Sequence, residues 1–141
     1  MTVDRTQEIV GAYLDALLNN GDFGQYMAED VAMKVMETGQ EIRGRREVVA
    51  AIVAWHQTTF EAHLEVVDMI VGDGKGGAEM VFVGTQKAEF AGIPSSGKGV
   101  RVPYTAFYSV SNGKISELRL YGIASGLMMQ LTTDTAEAIP A

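Results

Sequence analysis

Apolar positions recur with two different periods along this chain, and the change of period divides it. Near the start, Ile9, Val10, Tyr13, Leu14 and Leu17 fall in one arc of a helical wheel. Asp4, with Gln7 three residues later, predicts an N-terminus close to a capping box. Asn19-Asn20-Gly21 predicts the stop. After a turn holding Phe23 and Tyr26, residues 31–37 read as a strand. Thr38-Gly39-Gln40 reads as a turn, and Glu41-Ile42 as a short returning edge strand. A second helix is predicted over 45–59, with Gly44 at its entrance. Its apolar set is Val48, Val49, Ile52, Val53 and Trp55, which puts His56 near the centre of the arc and Trp55 at its edge.

From residue 63 the pattern turns to strands, predicted at 63–71, 79–90, 100–110 and 114–123. The glycine-rich connection over 72–77 lacks the helix that a phosphate-binding loop needs after it, so it reads as a hairpin turn. Asn112-Gly113 between two strands is a strong hairpin signal. Helices followed by hairpin-linked strands imply an α+β fold, with the helices packed on one face of a mostly antiparallel sheet. The strand over 100–110 is apolar on both parities: Val100, Val102, Tyr104, Ala106 and Tyr108 on one, Pro103 and Phe107 on the other. A sheet with one wet face alternates more cleanly. The second face is therefore expected to be covered by another copy of the chain, as a homodimer through the sheet.

A length of 141 residues suits one domain, expected over 1–131, with 132–141 as a flexible polar tail. The absence of cysteine excludes disulfides and thiolate metal sites. A net charge of −7, with no basic run longer than the Arg43, Arg45 and Arg46 cluster, argues against nucleic-acid binding. The longest apolar run, 48–55, falls far short of the ~20 residues of a membrane span. Asp4, Arg5 and Glu8 occupy the place where a signal peptide needs an apolar core, so a cytoplasmic location is expected. His56 and His63 lie in different elements without metal-ligand spacing, and no metal or other cofactor is expected.

One stretch carries a resemblance. Gly84-Thr85-Gln86 is followed by Phe90, Gly92, Pro94, Gly97 and Lys98, then by Gly113, Lys114, Ile115 and Glu117, and finally by Gln130-Leu131. In order and spacing these residues resemble the SnoaL-like polyketide cyclases. That family shares its cone-shaped roll with nuclear transport factor 2, ketosteroid isomerase and limonene epoxide hydrolase. The resemblance implies N-terminal helices on a curved sheet, a pocket for a small hydrophobic molecule, a dimer through the sheet and chemistry without an organic cofactor. It also implies an acid/base aspartate three residues before Gly126, a slot held here by Ile123. The family's histidine after Gly-Thr is Gln86, and its tryptophan slot is Arg119.

Isoleucine can neither accept nor donate a proton, so any chemistry must come from other groups. Arg119, Tyr121 and Ile123 share one strand face, which the resemblance turns into the cone, leaving Leu118 and Leu120 for the partner. Arg119 could anchor a carbonyl or carboxylate, or form a structural ion pair with Glu79 or Glu65. His56 could be a base, or a hydrogen-bonded core residue. His56, Arg119 and Tyr121 are the catalytic candidates. Tyr13, Met36, Ile52, Trp55, Gln86, Tyr104 and Ile123 are the expected pocket lining. Tyr13 resembles the oxyanion-binding tyrosine of ketosteroid isomerases, and the many methionines suit either core or an adaptable pocket. Two functions follow as expectations. One is an enzyme (cyclase, isomerase or hydrolase) acting on a hydrophobic carbonyl- or epoxide-bearing metabolite. The other is a non-catalytic binding protein for a small hydrophobic ligand.

Overall fold

A computed structural model describes residues 2–133. Helix α1 (Val3–Leu18) leads through a 3-10 turn (Phe23–Tyr26) into β1 (Met27–Val35) and β2 (Gln40–Arg43). Helix α2 (Arg45–Val53) runs on into a π-helical turn (Ala54–Thr58). Strands β3 (Phe60–Gly72), β4 (Lys75–Gln86), β5 (Gly99–Ser111) and β6 (Lys114–Tyr121) follow, and α3 (Ile123–Thr132) closes the fold. The six strands form one sheet in the order β2-β1-β6-β5-β4-β3. Only β1 and β6 run parallel; the other neighbours are antiparallel. Helix α1 packs against β3 and β4, α2 against β1, and α3 against β5. The tail expected after residue 131 lies, from 134 onward, outside the described residues.

The first helix begins earlier than its capping pattern predicts. Thr2, not Asp4, is the N-cap, its hydroxyl accepting from the Arg5 amide at 3.1 Å. Asp4 sits in the first turn, where a negative charge favours the helix dipole. Thr6 is fully buried. Its hydroxyl donates to the Thr2 carbonyl at 2.7 Å and accepts from the Gly74 amide at 2.9 Å, pinning the β3–β4 hairpin onto α1. That hairpin turns at Asp73 and Gly74, where Gly74 takes φ +74°. Lys75, Gly76 and Gly77, expected in the turn, are already strand. A Cβ at Gly77 would meet the Phe107 ring at 3.0 Å, so the ring lies close over the backbone there.

The last strand is shorter than predicted and faces the other way. It stops at Tyr121, Gly122 takes φ +95°, and Ile123 opens α3. Leu118 and Leu120 are buried on the inner face, while Arg119 and Tyr121 lie on the outer one. The reason is apolar burial: two leucines in the core leave the guanidinium at the solvent side, where it need not be desolvated. Arg119 pairs with Glu117 rather than Glu79 or Glu65, and lies 5.9 Å from the Phe107 ring centroid. Glu117 also meets Lys34 of β1 at 3.0 Å.

Two polar side chains fasten helix α3. The buried Gln130 side chain accepts from the Arg101 amide at 2.7 Å and donates to the Arg101 carbonyl at 2.6 Å. Strand β6 no longer flanks β5 at that level, since their pairing ends at Thr105↔Tyr121. One amide side chain therefore stands in for the missing strand. At the other end, Glu37 accepts from the Ser125 amide at 3.1 Å and its hydroxyl at 3.0 Å, capping α3 from a distant turn. Burial alone would raise the Glu37 carboxyl, but these hydrogen bonds outweigh it and hold the group below its ordinary range.

Two outcomes are expected. Gln130→Ala leaves both Arg101 backbone groups without their partner and removes a buried contact, which should cost about 2 kcal/mol or more in denaturant unfolding with the m-value unchanged. The outer sheet face carries a depression of about 480 Å³ lined by Met69, Ile70, Phe107 and Arg119, with Ile70 74% exposed and Phe107 42% exposed. A homodimer through this face should sediment at twice the 15.2 kDa chain mass, and Phe107→Glu should halve it. A wild-type monomer at micromolar concentration would remove that assembly.

Candidate functional site

Three aromatic residues with hydroxyl groups come together on the inner face. Tyr13 is buried on the apolar arc of α1, while Tyr104 and Tyr108 point inward from β5 four residues apart. The Tyr13 and Tyr108 rings meet edge to face at 5.7 Å, a favoured aromatic arrangement. All three phenols have their ionisation pushed up, first by burial; for Tyr104 and Tyr108 neighbouring phenols add to it. They therefore stay protonated at neutral pH and can donate hydrogen bonds.

His56 completes the group. The π-helical turn is marked by the Thr59 amide donating to the Ala54 carbonyl at 2.7 Å, five residues back. Such turns insert one residue into a helix and re-aim its side chains. His56 Nδ1 lies 2.7 Å from the Ile52 carbonyl oxygen. A carbonyl can only accept, so Nδ1 carries the proton and Nε2 carries the lone pair. That Nε2 is buried and has no hydrogen-bond partner among the described residues. Leaving a buried acceptor unpaired costs about 1–3 kcal/mol, so it calls for a partner that the folded chain does not supply. Burial lowers the histidine's pKa, with the Ile52 hydrogen bond acting weakly the other way. The ring is thus neutral, and basic at Nε2, at physiological pH.

These four residues line one inner cavity of about 30 Å³, room for about one water molecule. Met33, Met80, Leu118 and Leu120 supply apolar walls, with Ile52 and Trp55 beside His56. A cleft of about 200 Å³ between the end of α1, the π-helical turn and the start of β3 lies next to it. Leu17, Ile52, His56 and Leu64 line both spaces and so lie between them.

Of the expected pocket residues, Tyr13, Ile52, Trp55 and Tyr104 line this cavity together with His56. The others do not. Met36 is 39% exposed in the turn after β1, and Met33 takes its place because strand parity turns Met33 inward. Ile123 is buried in the core at the start of α3, not on a strand. Gln86 is buried but organises the loop over 87–98: it donates to the Ala88 and Ile93 carbonyls, both at 3.0 Å, and accepts from the Ser96 hydroxyl at 2.8 Å. Arg119 and Tyr121 occupy the opposite sheet face, so the structure does not bring them together with His56. Sequence reasoning passed over Tyr108, although it shares the parity of Tyr104 four residues earlier. Among the described residues no cluster of three metal-binding side chains occurs, and no helix is long and apolar enough to cross a membrane.

Structural relatives share this arrangement of elements. A candidate polyketide cyclase from Xanthomonas campestris pv. campestris is 24% identical and superposes with a TM-score of 0.78 over 92% of this chain and 98% of its own. A candidate SnoaL-like polyketide cyclase from Jannaschia sp. CCS1 is 18% identical, with a TM-score of 0.81 over 94% of each chain. A candidate ketosteroid isomerase from Kribbella flavida DSM 17836 is 18% identical, with a TM-score of 0.68 over 100% of this chain and 87% of its own. At these identities the likeness concerns the fold. No protein of curated function matches the sequence. The SnoaL-like polyketide cyclase family model matches residues 7–131, nearly the whole described chain, and the protein belongs to that family.

Proposed function

We propose that this protein is a cofactor-independent acid–base enzyme acting on a small hydrophobic carbonyl compound, with His56 as base. The observation that carries the reading is the unpartnered lone pair of His56 Nε2, fixed by the Ile52 hydrogen bond beside a cavity ringed with phenols. In the proposed step, a C–H bond next to the ligand's carbonyl breaks and its proton goes to Nε2, giving an imidazolium. The electron pair moves onto the carbonyl oxygen as an enolate. A phenol of Tyr13, Tyr104 or Tyr108 donates to that oxygen, the stabilisation an oxyanion needs in a water-poor site. Where the ligand carries a double bond β,γ to the carbonyl, the enolate is conjugated with it, and returning the proton from the imidazolium to the γ-carbon completes an isomerisation. Attack of the enolate carbon on a second carbonyl carbon of the ligand, with the imidazolium proton passing to the alkoxide so formed, completes a cyclisation, which the family's name supports. The water-sized cavity suits one carbonyl oxygen.

The aspartate slot held by Ile123 favours a second reading, a binding protein that holds the same ligand without turnover. Hydrogen–deuterium exchange at the α-carbons of 2-tetralone in D₂O separates the two. The enzyme should accelerate exchange, and His56→Ala should lower the rate by about 10²-fold or more with the fold retained. Among Tyr13→Phe, Tyr104→Phe and Tyr108→Phe, the variant lacking the donor should lose about 10²-fold. Arg119→Ala and Tyr121→Phe, on the far side of the sheet, should leave the rate unchanged. Exchange that survives His56→Ala removes this site; binding without exchange selects the second reading.

The pH profile is a further check. Exchange needs neutral His56, so the rate should rise with pH through the pKa of this group and then level off. Burial puts that pKa below the ordinary 6.5, so the plateau should already be reached at neutral pH. A rate that falls as pH rises from 6 to 8 would exclude His56 as the base.

A further inference from the structure

Gln86 is buried and lines neither the inner cavity nor the cleft, yet the loop it organises grips the turn that carries His56. The first residue of β3, Phe60, pairs with Gln86 at the end of β4. Between the π-helical turn and β3 stands Thr59. Its amide closes the turn on the Ala54 carbonyl, and its own carbonyl accepts from the Lys87 and Ala88 amides at 2.8 and 3.1 Å. Both amides belong to the loop over 87–98. The Gln86 side chain bonds that loop through the Ala88 and Ile93 carbonyls and the Ser96 hydroxyl, and the Gln86 amide closes its base on the Lys98 carbonyl at 3.0 Å. A second line reaches the same histidine. The Ile93 carbonyl that Gln86 holds also accepts from the Phe90 amide at 3.0 Å. Phe90 meets Phe60 edge to face at 5.6 Å, Phe60 meets Phe82 at 5.4 Å, and Phe82 meets the His56 ring at 5.3 Å. Phe60 and Phe82 are fully buried, so this aromatic row has little room to shift.

We propose that Gln86 is a positioning residue for His56: it fixes the loop, the loop fixes the end of the π-helical turn, and the turn aims Nε2 at the phenols. This rests on His56 as the base and adds the residue that keeps it aimed. Turns closed five residues back are rare, and a regular helix would send the Thr59 amide to Trp55 instead. The hydrogen bonds that hold the Thr59 carbonyl come from outside the helix, so they select the rarer form. Without them the turn can relax and carry the imidazole out of its present phase. A displacement of about 1 Å at a reacting group can cost about 10²-fold in rate. Gln86 lines neither space open to a ligand, so its loss should act on turnover and not on binding.

Gln86→Met keeps the side chain's bulk and removes its amide donors and acceptor. Nitrogen NMR of the imidazoles reads the ring directly, and His63→Gln assigns the two histidines. Wild type should show His56 as one tautomer, protonated at Nδ1, whereas Gln86→Met should show both. In the 2-tetralone exchange assay kcat should fall about tenfold or more, with KM within about twofold of wild type. Gln130→Ala is the control: it removes another buried glutamine that holds backbone, but on α3 and β5. It should lower stability and leave the tautomer and kcat unchanged. Ser96→Ala, an exposed change that takes only one hydroxyl from Gln86, should shift the tautomer ratio in the same direction by less. A single tautomer with wild-type kcat in Gln86→Met would overturn the proposal, as would an equal effect of Gln130→Ala. Where Gln86→Met does not fold, an unshifted ratio in Ser96→Ala overturns it. If wild type catalyses no exchange, the base role of His56 falls, and the tautomer ratio alone decides whether Gln86 positions the ring.

Discussion

The antiparallel register between β5 and β6 decides which chemistry this protein keeps inside. Tyr108 pairs with Leu118 and Phe107 with Arg119. Paired residues share a face, so the phenol goes in with the leucine and the guanidinium goes out with the phenylalanine. A slip of one residue would exchange the two sets, burying an arginine and exposing two leucines. The penalty for that exchange is several kcal/mol in desolvation alone. Burial of Leu118 and Leu120 thus fixes the cavity as a neutral, donor-lined space, and reserves the charged ladder of Lys34, Glu117 and Arg119 for the outer face.

Against that inner face, the π-helical turn after α2 presents the basic nitrogen of His56. A regular helix through residue 58 would carry its side chains in a steady phase, whereas the π-helical turn re-aims them where Trp55 and His56 meet the sheet. The His56 ring packs edge to face on Phe82 at 5.3 Å and is held by the Ile52 carbonyl. The Ile52 contact orients the imidazole through Nδ1 and leaves Nε2 unused. This is the arrangement expected of a group positioned for use: its tautomer is set by the backbone and its reactive nitrogen is left free.

Several residues that carry the family resemblance work on the scaffold. Gly84 allows close approach of β3, since a Cβ there would lie 2.5 Å from that of Ala62. Gln86 ties down the loop that follows β4. Gln130 substitutes for a strand beside Arg101. A motif made largely of such residues reports a fold more securely than a reaction. That is why the match over 84–131 pointed to the architecture while its catalytic position held an isoleucine.

Local patterning determined the classes of element in this chain. The arc of Ile9, Val10, Tyr13 and Leu14, the Asn112-Gly113 hairpin and the helices-then-strands order depend on neighbours a few residues apart, and they appear in the structure as read. The inward place of Tyr13, Ile52 and His56 was legible for the same reason. Tertiary structure decided the rest. Strand order and the parallel β1–β6 pair depend on contacts between residues more than eighty positions apart, such as Met33 and Leu118. The alternation of β6 was plain in sequence, but with both sheet faces expected to be covered, either set could have been the inner one. Only long-range register selects it. Ile123 left the strand because Gly122 takes a left-handed turn, and a glycine in sequence does not declare its φ.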